Sequence, residues 1–411
     1  MHSKTKLKPV LSLFDSVNIA LGSIIGAGIF VIIGAAAGVA GPAVFLSVIV
    51  AAIVAILTGL TSAELSKLFP TSGGAYLFAK KTLSDSAGFV VGWVWLFSNI
   101  TVGATVAIGF AYYLNFFVSS IPTNIGAAIA ILLATFIQLV GMKETSKVNN
   151  LLVVIKILIL LFFVGSAVFF FKPSNFEPFS PFGVPGILAG AATIFFAYSG
   201  FARVAVIADE IKDPSKNVPK ATILSIIIST VIYVLVAIAA VGVAGYQLLS
   251  ESGSPLADAI NLEGISFGAG LVGFGALIAT GTVILASILG VSRLAYTMAS
   301  NRELPKLVST IDKKTGAPKN SIILSGIGML LLALFADLPH IAYISSFSLL
   351  LYYAALNLSG IKILKKNMRY AAILGLISCL VLMFSLPMLS WIVGFVVVLL
   401  GIIYYKFFVK G

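Results

Sequence analysis

Gly22-Ser-Ile-Ile-Gly-Ala-Gly28 lies at the centre of an apolar stretch running from Leu11 to Val39. A second stretch, Gly186 to Ala208, is interrupted at a comparable place by Ala197-Tyr-Ser-Gly200. Glycine lacks a Cβ and costs a helix roughly 1 kcal/mol relative to alanine. Within a bilayer an unwound turn costs more, because lipid offers no partner for freed N–H and C=O groups. Such interruptions persist where the opened backbone lines a cavity and binds something. Paired interruptions in the two halves of one chain point to the substrate site of a secondary transporter.

The surrounding composition is that of a membrane protein. Of the 411 residues, 60% are hydrophobic and only 10% charged, and the mean hydropathy is +1.12. Runs of about 18 or more apolar residues recur, each long enough to cross a hydrocarbon core of about 30 Å. The formal net charge of +12 does not indicate nucleic acid, since the basic residues fall between apolar runs rather than on one soluble face. One cysteine, Cys379, gives neither a disulfide framework nor a metal site. No cofactor or metal ligand set is expected. Three lysines precede the first apolar segment, which is too long for a signal-peptide core and is read as a retained span.

The apolar runs predict an all-α protein of about twelve transmembrane helices. They lie near 12–39, 42–69, 87–118, 123–141, 149–171, 186–210, 219–245, 266–297, 320–336, 339–360, 370–386 and 389–408. Residues 1–11 form an N-terminal segment, 12–171 a first group of five spans, 186–360 a second five, and 370–408 two additional spans. Since five is odd, the second group enters the membrane with inverted orientation. Of the 26 basic residues, 23 fall on the side of the N-terminus and only Lys172 opposite, with Lys156 and Arg203 inside spans. The positive-inside rule then makes both termini cytoplasmic, in a multi-pass protein of the cell membrane.

In the first interruption Ser23, Ile24, Gly26, Ala27 and Gly28 offer N–H donors at the start of the outer half-helix, where the helix dipole is positive. The inner half ends in carbonyls that suit a cation. Close helix packing is the alternative use of such small residues. In the second interruption Phe196, Ala197, Tyr198, Ser199 and Gly200 combine aromatic surface with polar groups, as an amphiphilic small molecule requires.

Several motifs resemble the amino acid–polyamine–organocation transporter superfamily, whose members share the LeuT-type fold. They are Gly22-Ser-Ile-Ile-Gly-Ala-Gly-Ile-Phe30, Ala63-Glu-Leu-Ser-Lys-Leu-Phe-Pro-Thr-Ser-Gly-Gly-Ala-Tyr76 and Phe195-Phe-Ala-Tyr-Ser-Gly-Phe201. Asp209-Glu-Ile-Lys-Asp-Pro214 with Val218-Pro219, and Arg293-Leu-Ala-Tyr-Thr-Met-Ala-Ser-Asn-Arg-Glu-Leu-Pro305, complete the set. The resemblance covers about residues 10–360. It implies that Ser23 to Gly28 hold a substrate α-carboxylate, that the Ala197–Gly200 carbonyls take the α-amino group, and that Phe196 closes the outer side. Many relatives carry an acidic residue where Ala202 stands here, which disfavours strongly cationic substrates.

Four charges need separate readings. Arg203 and Glu210 are seven residues apart and would share a face of one helix, as a salt link or gate. Glu64 is a candidate for the same network or an interfacial carboxylate. Lys156 lies roughly 10 Å into the fifth span at 1.5 Å per residue. It either snorkels to the headgroups or serves the transport cycle. In some proton-coupled relatives a matching lysine occupies the place of a bound Na⁺, so the resemblance implies proton coupling; Ser287 and Thr297 of the eighth span are candidate polar partners. The sequence therefore reads as a secondary active transporter of amino acids or related amines, proton-coupled, with sodium symport or exchange as alternatives. A channel lacks a polar pathway, a sensor lacks a signalling domain, and ATP drive lacks a P-loop. An enzyme lacks paired catalytic groups at membrane depth.

Overall fold

The computed structural model describes residues 10–69, 73–140, 146–312, 315 and 317–409. Most of the N-terminal segment expected over 1–11 lies outside the described residues, as do the lysines at 143, 313, 314 and 410. Among the described residues, ten helical stretches are long and apolar enough to cross a membrane, the first of them Leu13–Leu68, and Lys319–Phe335 is a shorter apolar helix. The chain is a multi-pass membrane protein.

Local chemistry sets where these stretches begin, bend and end. Helix α1 (Leu13–Ile24) starts at a capping box: Ser12 Oγ accepts from the Asp15 N–H at 3.2 Å and Asp15 Oδ2 from the Ser12 N–H at 2.9 Å. After Ile24 the helix stops. The chain re-enters through a wide π turn, Gly28–Ile32, into α2 (Ile33–Ala40). Gly41 at φ 69°, followed by Pro42, then reverses it into α3 (Val44–Leu68). A short helix that the sequence pattern did not reveal, α4 (Gly74–Thr82), leads to α5 (Asp85–Phe117), α6 (Thr123–Val140) and α7 (Ser146–Ala167). The fifth apolar run ends earlier than its composition suggests, because Lys172 N–H turns away to bond the Gly242 carbonyl.

The second interrupted stretch reads α8 (Gly183–Ile194), a 3₁₀ segment (Phe195–Ala202), and α9 (Arg203–Val206). Beyond it come α10 (Pro214–Glu251), bent at Gly245 with φ 72°, and α11 (Pro255–Leu262). Helices α12 (Ser266–Ser300), α13 (Lys319–Phe335), α14 (Leu338–Ile363), α15 (Lys366–Phe384) and α16 (Met388–Tyr404) complete the chain.

The interrupted stretches sit in the middle of this arrangement. Helices α3, α8 and α10 surround them on one side, while α5, packed against α12 and α14, forms the facing wall. Buried large side chains such as Phe30, Tyr113, Phe195 and Tyr353 fill the centre. Large apolar side chains on α6 and α16, among them Phe136 and Phe395, remain exposed. A band of this kind requires a lipid solvent. One parallel bridge, Leu11 to Ile211, ties the entrance of α1 to the chain leaving α9.

Candidate functional site

The first interruption is a true parting of the backbone. Ile25 is extended (φ −74°, ψ 93°), and its N–H makes the last bond of α1, to Leu21 at 2.8 Å. Ile25 and Gly26 are bends that no local backbone hydrogen bond spans. The N–H groups of Gly26, Ala27, Gly28 and Ile29 therefore have no acceptor in the preceding half-helix. Four such donors are what any helix start leaves open, and here they begin the half carrying α2. The positive end of a dipole and convergent N–H groups suit a carboxylate.

The carbonyls ending α1 are taken by side chains. Tyr233 of α10 donates to Ile24 O at 2.7 Å. Lys156 of α7 is buried, and its Nζ donates to Gly22 O at 3.1 Å, Ile25 O at 3.3 Å and Thr282 Oγ1 at 2.6 Å. The lysine thus turns toward the interruption rather than to the surface. Its hydroxyl partner is Thr282 of α12, not Ser287 or Thr297. Thr297 donates within its own helix to Arg293 O. Tyr113 of α5 donates to Phe30 O at 2.6 Å, on the π turn.

The second interruption differs from the open loop expected for Ala197–Gly200. It stays wound as a 3₁₀ helix, so its backbone remains bonded, and Tyr353 of α14 adds a hydrogen bond to Ser199 O at 3.1 Å. Phe201 stacks on Tyr353 at 5.1 Å. The two interruptions touch through their glycines. A Cβ on Gly28 would lie 2.0 Å from Ala197 Cβ, and one on Gly200 would lie 2.5 Å from the Ile24 nitrogen. Only glycine permits these backbones to cross so closely.

Around this crossing a cavity is lined by Ser23, Ile24, Gly26, Ala27 and Gly28 from the first interruption, and by Phe196, Ala197 and Ser199 from the second. Helix α5 supplies Val102 and Val106, and α12 supplies Val283. The structure therefore brings together eight of the ten residues singled out from the sequence. Gly200 serves the crossing, and Tyr198 points away, its hydroxyl 3.4 Å from Val48 O. The valines were not legible, being apolar residues in apolar helices. The buried tyrosines carried a signal, since a buried phenol needs an acceptor.

The expected salt link is absent. Helix α9 ends at Val206, before Glu210 can share its face. Arg203 instead donates to Ser287 of α12 at 3.3 Å. Glu64 pairs with Lys67 at 2.5 Å, and the Glu210 carbonyl accepts from the N–H groups of Val10 and Leu11.

A second polar cluster lies at the end of α12 bearing Asn301. Glu303 is buried, accepts from the Tyr76 hydroxyl at 2.7 Å and pairs with Lys80, while Asn301 donates to Tyr76 at 3.0 Å. These contacts fix α4 to α12. Burial and the hydrogen bond to Glu303 push the Tyr76 phenol up to about 12. For Lys80, burial works against the charge, but the bond to Glu303 and the neighbouring groups outweigh it and raise its pKa.

Comparison with known proteins gives the family. A family model described as "Amino acid permease" matches residues 15–410. A methylthioribose transporter from Bacillus subtilis is 32% identical, with 98% of this chain and 94% of the relative covered. A branched-chain amino acid permease from the same species is 29% identical over 88% of this chain and 82% of its own. Cationic amino acid transporter 4 of Mus musculus is 31% identical over 85% of this chain and 59% of its own. The chain belongs to the amino acid permease family.

Proposed function

We propose that this protein is a secondary active transporter of an amino acid or a closely related amine, working by alternating access in the cell membrane and driven by proton symport. In this reading the chain has twelve spans, Leu13–Leu68 counting as two on either side of Gly41 and Lys319–Phe335 as one more. Residues 12–171 and 186–360 form inverted five-helix repeats of the LeuT type, followed by two further helices over 370–408, with both termini cytoplasmic. The unbonded N–H groups of Gly26–Ile29 receive the substrate carboxylate, and the cavity beside them holds its body. No nucleic acid or cofactor takes part.

The position of Lys156 carries the coupling. A protonated ammonium holds two carbonyls of α1 and a hydroxyl of α12 together, as a bound cation would. Loss of its proton removes a donor and a charge from that junction, so proton occupancy and the relative position of α1 and α12 become linked. Purified protein in proteoliposomes tests this by uptake of labelled amino acids under imposed gradients. Accumulation should follow an acid-outside pH gradient without sodium. Accumulation that follows a sodium gradient and ignores pH would overturn proton symport.

A further inference from the structure

We propose that the substrate is a neutral amino acid with a compact aliphatic side chain, and that Val102, Val106 and Val283 select it. This rests on reading the cavity as the amino acid site, and three observations lead to it.

The first is the separation of polar and apolar wall. Donors lie on the backbone of the first interruption, while the side facing them is aliphatic. Val102 and Val106 are one turn apart on α5, and Val283 Cγ2 lies 2.6 Å from where a Cβ on Gly26 would stand. Gly26 and Val283 thus line the same cavity with no room for a side chain between them. The hydroxyls on the cavity wall belong to Ser23 and Ser199, and Ser23 Oγ already donates to Ile19 O at 2.9 Å. A hydroxyl-rich or charged side chain would lose water against these valines without gaining partners.

The second is charge. Lys156 sits on Thr282, the residue before Val283, and Arg203 sits on Ser287, one turn past it. Two basic side chains thus lie behind the α12 wall, and no carboxylate lines the cavity to balance a cationic side chain. The carbonyls of Gly22 and Ile25 already accept from Lys156, Ile24 O from Tyr233 and Ser199 O from Tyr353, so a second ammonium would share acceptors already in use.

The third is stiffness. Branching at Cβ restricts χ1, so three valines form a wall that retracts poorly. Bulky side chains are thereby disfavoured as well as polar ones.

The test is uptake by proteoliposomes of labelled alanine, valine, serine, phenylalanine, arginine, glutamate and methylthioribose. The wild type should favour alanine or valine over arginine, glutamate and methylthioribose by roughly tenfold or more in kcat/KM. Val283→Ala and Val106→Ala should move preference toward phenylalanine by roughly tenfold, since each methylene in an apolar pocket is worth about that much. Val283→Thr, nearly isosteric and least exposed to misfolding, should raise serine relative to alanine. A wild type that prefers a charged solute, or variants that transport with unchanged ranking, would overturn this inference while leaving amino acid transport intact. Uptake of methylthioribose with no amino acid transported at all would overturn both.

Discussion

In the first interrupted span the backbone parts at Ile25 and Gly26 and leaves four N–H groups without helical acceptors; in the second, Phe195–Ala202 remains wound as a tight 3₁₀ helix. Glycines punctuate both, and both face one cavity, yet only the first exposes its backbone donors. Gly28 of the first and Gly200 of the second make room for the crossing, while Gly26 borders the cavity opposite Val283. Under the proposed function, the pair divides the work between a binding face and a rigid wall.

The strongest way to break that division is through Lys156, which holds the open face in place. Lys156→Ala should reduce accumulation on a pH gradient by roughly 10- to 100-fold, while substrate binding in detergent persists. Lys156→Arg should fail too, because arginine stays charged at any usable pH. Wild-type accumulation and pH dependence in Lys156→Ala would remove the open face from the coupling.

Glycine substitutions separate the two functions of the crossing. Gly28→Val and Gly200→Ala drive a side chain onto backbone atoms, so both should lower the thermal midpoint and cost about 1–3 kcal/mol of stability. Gly26→Val meets a valine methyl instead. It should abolish substrate binding with a smaller loss of stability, read by a binding isotherm beside a melting curve. Wild-type affinity in Gly26→Val would mean that this glycine serves packing.

A smaller effect distinguishes the wall. Tyr353→Phe removes the hydroxyl from Ser199 O while keeping the ring on Phe201. The loss of one hydrogen bond is worth about 1 kcal/mol, so KM should rise about fivefold with kcat little changed. An equal fall in kcat alone would place the bond in the moving step.

The weakest prediction concerns the Tyr76–Glu303–Lys80 cluster, outside the spans. Both Tyr76 and Lys80 are raised in the folded protein. The stabilisation from Tyr76 is therefore complete below its unfolded value of 10.0 and is lost as pH climbs toward about 12, and that from Lys80 is complete below 10.5 and lost above it. Melting curves should show a modest alkaline fall that Tyr76→Phe flattens. An unchanged fall in that variant would assign it to other groups.

Glycine spacing made both interruptions visible in the sequence, because a flexible residue in the middle of an apolar run has few other uses. Which interruption would open was not visible, since 3₁₀ winding depends on the tyrosine and glycine contacts made by distant helices. Lys156 was legible as a charge among apolar neighbours; its partner Thr282 was not, one hydroxyl in α12 looking like another. The Arg203–Glu210 pairing failed because helical spacing was extended past Val206, where the helix ends. Val102, Val106 and Val283 illustrate the remaining limit: apolar side chains on an apolar helix show no preferred face until their neighbours are placed.

The bridge between Leu11 and Ile211 has a mechanical meaning. Val10 and Leu11 bond the Glu210 carbonyl at 3.0 and 2.9 Å, and Lys212 returns a bond to Leu11 O at 2.9 Å. Both interrupted spans are stitched together at the end where the chain enters α1 and leaves α9. Neither half-helix can swing from that end alone without tearing the seam. If transport moves these half-helices as proposed, the seam makes them move together, as one lever with two arms rather than as separate gates.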